Sequence, residues 1–554
     1  MPPPIARAAR LRADLDRLAD EVAAAGFGIA SPDQSSRRAR RDELVEVVRS
    51  YLIPRLGDPD APLVVALAGP TGSGKSTILN SVAGYEVSRP GPLRPTTRQP
   101  VVWCHEREAH RYQTMGGVEC LVVTEGHPLL ADLTLIDTPD IDSYVSEHRR
   151  IATAVLRQAD VVVFVTSAQR YADAVPWEVV DEVDRRGSQI IFVLNRLSRR
   201  AAGSVSDYAA LLRARGLDPE PIHTIQEQRV RGEAGALPAR SIRHLSRRLG
   251  ELASGRTQVL AEATRSTAAY SVFSAKAVAD DIDRQEEERA RLAAVVAGTY
   301  DGAFAELTGE LTRGALIRSE VVQRWGERVG TGAVARRVKG STSWLRVATD
   351  RLAGRPSAEM AEIGGEARRE LVAAVGARLD RAARAVTVSW EVDAAGRAFV
   401  TPDLRTAAHA TRQELDATID RWLSGLTHLV EAEAPGRFKT ARVASTGVNA
   451  AAVATILAIF ASTGGLTGAE VGVAAGAAAA QQSILEHLLG RAAAGSLAGN
   501  ARAGLMEAVG RIFTLESQRF LNILEMAADP IATGARIREA ARVVEAESEI
   551  FHAQ

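Results

Sequence analysis

The stretch APLVVALAGPTGSGKST, from Ala61 to Thr77, decides the fold of this 554-residue chain. It opens with an uncharged apolar run, Leu63 to Leu67, with β-branched residues inside it, which reads as a buried strand of a parallel sheet. Gly69-Pro70-Thr71-Gly72-Ser73-Gly74-Lys75-Ser76 follows and fits G-x-x-x-x-G-K-[ST] at every fixed position. Thr77 to Ala83 then reads as a helix with Ile78, Leu79 and Val82 on its apolar face. Strand, glycine loop and helix are the setting this motif requires. The glycines let backbone N–H groups turn inward around phosphate oxygens, and the helix N-terminus adds a favourable dipole. Lys75 is placed to reach β- and γ-phosphates, and the Ser76 hydroxyl to ligate Mg²⁺. Gly69 through Thr77 are therefore expected to bind nucleotide.

Composition supports this. Lysine occurs only at 75, 276, 339 and 439, so nearly all positive charge is arginine, and a lysine stands where a compact point charge is wanted. Lys+Arg and Asp+Glu are both 68, a net charge of zero that argues against bulk nucleic-acid binding. The length calls for two or three domains. Hydrophobic residues make up 46% but aromatics only 5%, which suits close-packed helices. Two cysteines, Cys104 and Cys120, offer neither a disulfide framework nor zinc spacing. The N-terminus lacks an apolar signal core, so a cytoplasmic protein is expected.

The chain divides by pattern into five stretches. Residues 1–54 read as two amphipathic helices that join the helical bundle, the first carrying Ile5, Leu11, Leu15, Leu18 and Val22, the second ending before Pro54. Residues 55–254 alternate strands and helices, with apolar runs at Val101–Trp103, Val118–Val123, Leu133–Ile136, Val161–Val165 and Ile190–Leu194. That pattern predicts a doubly wound α/β sheet with its ligand at the carboxyl ends of the strands. Residues 255–445 read as a helical bundle or stalk. Residues 446–482 form an Ala/Gly-rich hairpin with Gly464, Gly468, Gly472 and Gly476 every four residues. Each arm is about 22 Å long as helix, short of a ~30 Å hydrocarbon core. Two readings stay open, a shallow membrane-contact tip and a tight hairpin buried in the bundle. Residues 483–554 return to amphipathic helix and complete the bundle.

Three further motifs bear on the nucleotide. Leu133–Ile136 ends in Asp137-Thr138-Pro139-Asp140, where a carboxylate at the strand tip can hold Mg²⁺ through water. No Glu follows that Asp, which argues against a transporter-type ATPase. Asn195-Arg196-Leu197-Ser198 stands after the strand Ile190–Leu194. The segment resembles the fourth motif of GTPases, Asn-Lys-x-Asp, which implies that Asn195 and Arg196 contact the base and that Ser198 stands where an Asp would accept both guanine N–H groups. His223-Thr224 is the candidate position for a fifth motif.

The Asp-Thr-Pro-Asp segment resembles the third motif of GTPases, and Arg94-Pro95-Thr96-Thr97-Arg98 resembles their switch I, with Thr97 the better match for the threonine that closes over Mg²⁺ and γ-phosphate. Motif order, flanking helices and the distant small-residue hairpin together resemble the dynamin-like large GTPases, especially bacterial and actinobacterial members. Specific motif matches cover about residues 69–198. The resemblance implies a GTPase domain on a helical stalk whose tip meets membrane at the inner face, and a homo-oligomer or a paired dynamin-like partner. It implies GTP and Mg²⁺ as ligands, with ATP the alternative because of Ser198. Lys75 and Thr97 take the catalytic roles, Ser76, Thr97 and Asp137 the metal, and Asp140 faces the γ-phosphate through its N–H. Thr71 and Gly72 replace that family's Gln-Ser pair, so its water-positioning and cation-binding groups do not carry over. A nucleotide-gated scaffold with little turnover and an Era-like RNA GTPase are the rival readings.

Overall fold

The computed structural model describes residues 4–89, 99–142, 146–198, 203–219, 221–228, 236–312, 358–433, 491–527 and 533–552. The switch I threonine, Thr97, and the 446–482 hairpin lie outside these residues. The chain forms two compact units, one of Met1–Phe27, Ser35–Arg284 and Asp529–Gln554, the other of Gly28–Gln34 and Gln285–Ala528.

The first unit is built on β1, Leu63–Ala68, whose six residues are all buried. Leu63, Val65 and Leu67 face one side of the sheet, Val64, Ala66 and Ala68 the other. A strand apolar on both faces belongs in the middle of a layered sheet. With β2 (Val101–Cys104), β5 (Leu121–Thr124), β6 (Leu133–Asp137), β7 (Val161–Ser167), β8 (Gln189–Leu197) and β9 (His223–Gln226), the sheet order is β5-β2-β6-β1-β7-β8-β9. All pairings are parallel except β2 with β6, which runs antiparallel. The expected Val118–Val123 strand is split. β4 (Val118–Glu119) pairs with β3 (Thr114–Met115) as a small hairpin, and Cys120 N–H turns to the carbonyl of Gln113 before β5 begins.

Helices cover both faces. α4 (Lys75–Ala83) and α8 (Ala239–Ser254) bury Ile78, Leu79, Ile242 and Leu245 on one side. α5 (Ser146–Leu156), α6 (Ala174–Arg185) and α7 (Gly203–Ala214) bury Val155, Trp177 and Tyr208 on the other. This is the doubly wound arrangement, and it sets the loops after β1, β6, β7 and β8 along one edge.

In the same unit, α1 (Pro4–Ala23) and α2 (Gln34–Val47) share a core with the helix Gly534–His552 and the start of α9 (Arg256–Thr312) through Leu11, Leu15, Leu44, Val272, Ile537 and Val544. The second helix does not stop before Pro54. It widens into a π-turn over Val48–Leu52 and continues as α3 (Ile53–Gly57). The wider turn accommodates the missing proline N–H and its ring.

The second unit is helical. Its core joins the later part of α9 with Ala358–Val392, His409–Glu433 and Arg491–Ala527. Trp390 is its centre, edge-on to Phe520 at 5.6 Å between ring centroids. Among the described residues no helix is long and apolar enough to cross a membrane.

Candidate functional site: the phosphate loop and its switch segment

Between β1 and α4 the chain turns through Gly69–Gly74. Gly69 has φ +153°, and a Cβ there would stand 2.0 Å from the Val165 carbonyl oxygen on β7. Only glycine lets the loop pass this close to the neighbouring strand. The Lys75 ammonium is buried. It donates to the Gly69 carbonyl at 2.9 Å and to Asp140 Oδ1 at 2.7 Å. The side chain of Asp140, not only its N–H, thus faces the loop.

Asp137 ends β6, fully buried. Its Oδ2 accepts from the Ser76 hydroxyl at 2.6 Å and the Ser88 hydroxyl at 2.7 Å. Burial pushes this carboxyl above its ordinary pKa, against the pull of Lys75 and the two serines. Among the described residues, its Oδ1 is buried without a hydrogen-bond partner, as is the Ser73 hydroxyl. Oxygen ligands of this kind fit Mg²⁺, so Ser76 and Asp137 form a donor set suited to it. Ser88 is an addition to the residues read from sequence. Asn80 fixes it, accepting from the N–H groups of Val87 and Ser88 and donating to the Ser88 carbonyl.

A second addition is Asp142. Its Oδ1 accepts from Thr71 N–H at 2.7 Å and Thr71 Oγ1 at 2.9 Å, and its Oδ2 accepts from Arg170 at 2.6 Å. Arg170 also donates to the Thr71 carbonyl at 2.9 Å. Asp137, Asp140 and Asp142 therefore all bond to the loop or the first turn of α4.

At the end of β8, Asn195 Nδ2 donates to the Ser73 carbonyl at 2.7 Å, and its Oδ1 accepts from Arg196 N–H at 2.8 Å. Asn195 thus braces the loop from β8, which lies on the opposite side of β1 from β6, the strand that leads to Asp140. Arg196 is exposed and takes a left-handed backbone, φ 55°, unusual for a non-glycine residue. His223 is at the start of β9, level with Val193, and Gln226 pairs with Leu197.

Residues 64–196 match the family model of the 50S ribosome-binding GTPases. The chain carries a GTPase domain. That domain is 28% identical over 153 residues to a probable transmembrane FZO-like chloroplastic GTPase of Arabidopsis thaliana, covering 26% of this chain and 16% of that protein. It is 30% identical over 171 residues to the tRNA modification GTPase MnmE of Rhodopseudomonas palustris (strain BisB5), covering 29% of this chain and 32% of that protein. The chain thus spans less than a third of the length of either relative. A solved structure from work on an oligomerised bacterial dynamin pair is similar at a TM-score of 0.42 and 11% identity, over 96% of this chain and 95% of that one. The matched segment is a P-loop domain of the GTPase kind, and the ATP alternative finds no support among these relatives.

Proposed function

We propose that this chain is a dynamin-like GTPase that couples GTP turnover to a conformational change at a membrane. The observation that carries the reading is the docking of residues 137–142 on the phosphate loop, through Asp137 to Ser76, Asp140 to Lys75 and Asp142 to Thr71. A triphosphate needs the same Lys75 ammonium and loop N–H groups. Its arrival therefore rearranges this segment, and its hydrolysis lets the segment return, which is the order of events a switch requires.

Gly69 through Thr77 would hold the phosphates, with Lys75 offsetting charge that develops on the β–γ bridge. Ser76 and Asp137, with Thr97, would hold Mg²⁺, which neutralises charge on the β- and γ-oxygens. Asn195 keeps the loop in shape, and Asn195 and Arg196 would contact the base. Support for a membrane role comes from the Ala/Gly-rich, small-residue composition of residues 446–482, the large helical unit and the Arabidopsis relative's name. A second copy or a paired dynamin-like protein is the proposed partner, at the inner face of the membrane. Net charge of zero favours this over an RNA partner.

The test is steady-state phosphate release from GTP and ATP, with and without anionic liposomes, for the wild type and Lys75→Ala. The expected result is GTP turnover that rises on liposomes and is absent in Lys75→Ala. Turnover indifferent to liposomes would remove the membrane part of the reading. Preference for ATP, or turnover that survives in Lys75→Ala, would overturn the site.

A further inference from the structure

We propose that Arg170 is a catalytic residue of this GTPase, supplying from within the same chain the positive charge that compensates the γ-phosphoryl group during hydrolysis. The proposal rests on the GTPase reading and extends it to a residue that no loop or switch motif includes.

Position comes first. Arg170 lies just past β7, which is the neighbour of β1, and Val165 of β7 is the residue against which Gly69 packs. The segment after β7 is a tight turn, with the N–H groups of Arg170 and Tyr171 both on the Ser167 carbonyl. Trp177 of α6 pins it by donating to the Tyr171 carbonyl at 3.0 Å. Arg170 is thus held on ordered backbone beside the phosphate loop.

Its contacts mark which end of the nucleotide it serves. Nη1 donates to the Thr71 carbonyl at 2.9 Å, Nη2 to Asp142 Oδ2 at 2.6 Å and Nε to Asp173 Oδ2 at 2.8 Å. Asn195, the proposed base contact, braces the loop at Ser73. Thr71 is on the other side, held by Asp142 from the segment whose Asp140 sits on Lys75. Lys75 serves the β- and γ-phosphates. Arg170 therefore stands at the γ end.

Chemistry supplies the need. A water oxygen bonds to the γ-phosphorus while the bond from that phosphorus to the β–γ bridging oxygen breaks. The electron pair stays on GDP, and the hydrogens of the water leave with inorganic phosphate. Charge accumulates on the bridging and γ oxygens, and a well-placed cation there lowers the barrier. The loop provides one such cation, Lys75. Arg170 is a second, and its Nη2 now donates to one oxygen of the Asp142 carboxylate. A phosphoryl oxygen accepts from a guanidinium N–H as a carboxylate oxygen does. When phosphate claims Lys75, Asp140 and Asp142 withdraw together, and Arg170 exchanges Asp142 for the γ-phosphoryl oxygens while Thr71 still anchors its other arm.

The experiment compares wild type, Arg170→Ala, Arg170→Lys and Asp173→Asn. Three quantities are read: single-turnover GTP hydrolysis, affinity for GDP and a non-hydrolysable GTP analogue, and trapping of GDP with aluminium fluoride. Arg170→Ala should lose on the order of 10³-fold in rate, the low end for an arginine in this role. It should keep nucleotide affinities within about threefold and fail to trap aluminium fluoride. Arg170→Lys retains charge without the fork and should fall by at least about tenfold with an unchanged melting temperature. Asp173→Asn loosens the brace but keeps the arginine, and its rate should fall far less than that of Arg170→Ala. The proposal is overturned if Arg170→Ala and Arg170→Lys turn over at the wild-type rate. It is also overturned if affinity falls in step with rate, or if Asp173→Asn loses as much as Arg170→Ala. Wild-type protein that does not hydrolyse GTP at all would instead strike the underlying GTPase reading.

Discussion

The ammonium of Lys75 and the carboxylate of Asp140 are 2.7 Å apart, with both side chains less than a tenth exposed. The third-motif carboxylate thus holds the group that the phosphates need. Binding a nucleotide exchanges one anion for another at Lys75, and the net gain is smaller than for a lysine without a partner. Asp140→Asn keeps the shape and removes the competing charge. A charge-assisted hydrogen bond contributes about 1.5–3 kcal/mol, and 1.4 kcal/mol is a factor of ten in affinity. We expect GDP and GTP analogues to bind roughly tenfold more tightly to Asp140→Asn, with slower release in stopped-flow measurements. Equal or weaker binding would mean that the pair does not compete with nucleotide.

The parts of this site that the sequence announces are those carried by adjacent residues. Gly69 to Ser76 spells a loop because each position has a local job, and the flanking strand and helix show in apolar spacing. Asp137 is legible because it ends an apolar run. Ser88, Asp142 and Arg170 are not legible, because their roles exist only across the fold. Asp142 meets a residue 71 positions away and Arg170 one 99 positions away. A serine after a glycine turn and an arginine in a chain full of arginines carry no local signal. The same holds for the π-turn at Val48–Leu52, where Pro54 reads as a stop until the tertiary core of α1 and α9 is seen to hold the helix together.

Gly74 and Gly84 make a controlled pair at the two ends of α4. Both have positive φ, +103° and +84°. A Cβ on Gly74 would stand 2.3 Å from Asn195 Nδ2, whereas one on Gly84 meets nothing within 4 Å. Each substitution by alanine carries a left-handed backbone cost of about 1–2 kcal/mol. Only Gly74→Ala also pushes Asn195 off the Ser73 carbonyl. Both variants should melt a few degrees lower. Gly74→Ala alone should lose GDP affinity, by more than about tenfold, in equilibrium titration. Equal affinity loss in both would show that the Asn195 contact is not what holds the loop in its binding form.

Asp160 anchors the start of β1 to the N-terminal helices. It is fully buried, accepts from Val64 N–H at 2.7 Å and from the Tyr51 hydroxyl at 3.0 Å, and pairs with Arg55. Burial pushes its pKa up, and Arg55, Val64 and Tyr51 pull the other way. Removing one member of a buried ion pair leaves the other charge uncompensated and costs about 3–5 kcal/mol. Asp160→Ala should therefore destabilise far more than Tyr51→Phe, which removes one hydrogen bond of about 1 kcal/mol. Thermal unfolding followed at the transition of the GTPase domain reads this order, and a reversed order would contradict it.

Asp142 gives the chain an acid-dependent brace on its phosphate loop. Burial alone would raise its pKa, but the N–H and hydroxyl of Thr71, together with Arg170, hold it below the ordinary carboxylate range. A depressed pKa in the folded state means the stabilisation is present above the unfolded value, about 3.9. It is lost as pH falls from there through the folded value. Asp142→Asn should thus melt a few degrees below wild type at pH 7, a cost of about 1–2 kcal/mol. The two curves should begin to converge as the pH drops below about 4 and meet only below the lower folded value, where the wild-type carboxyl is protonated too. A gap that stays constant as the pH falls through and below that range would show that Thr71 and Arg170 hold the shape of this side chain and not its charge.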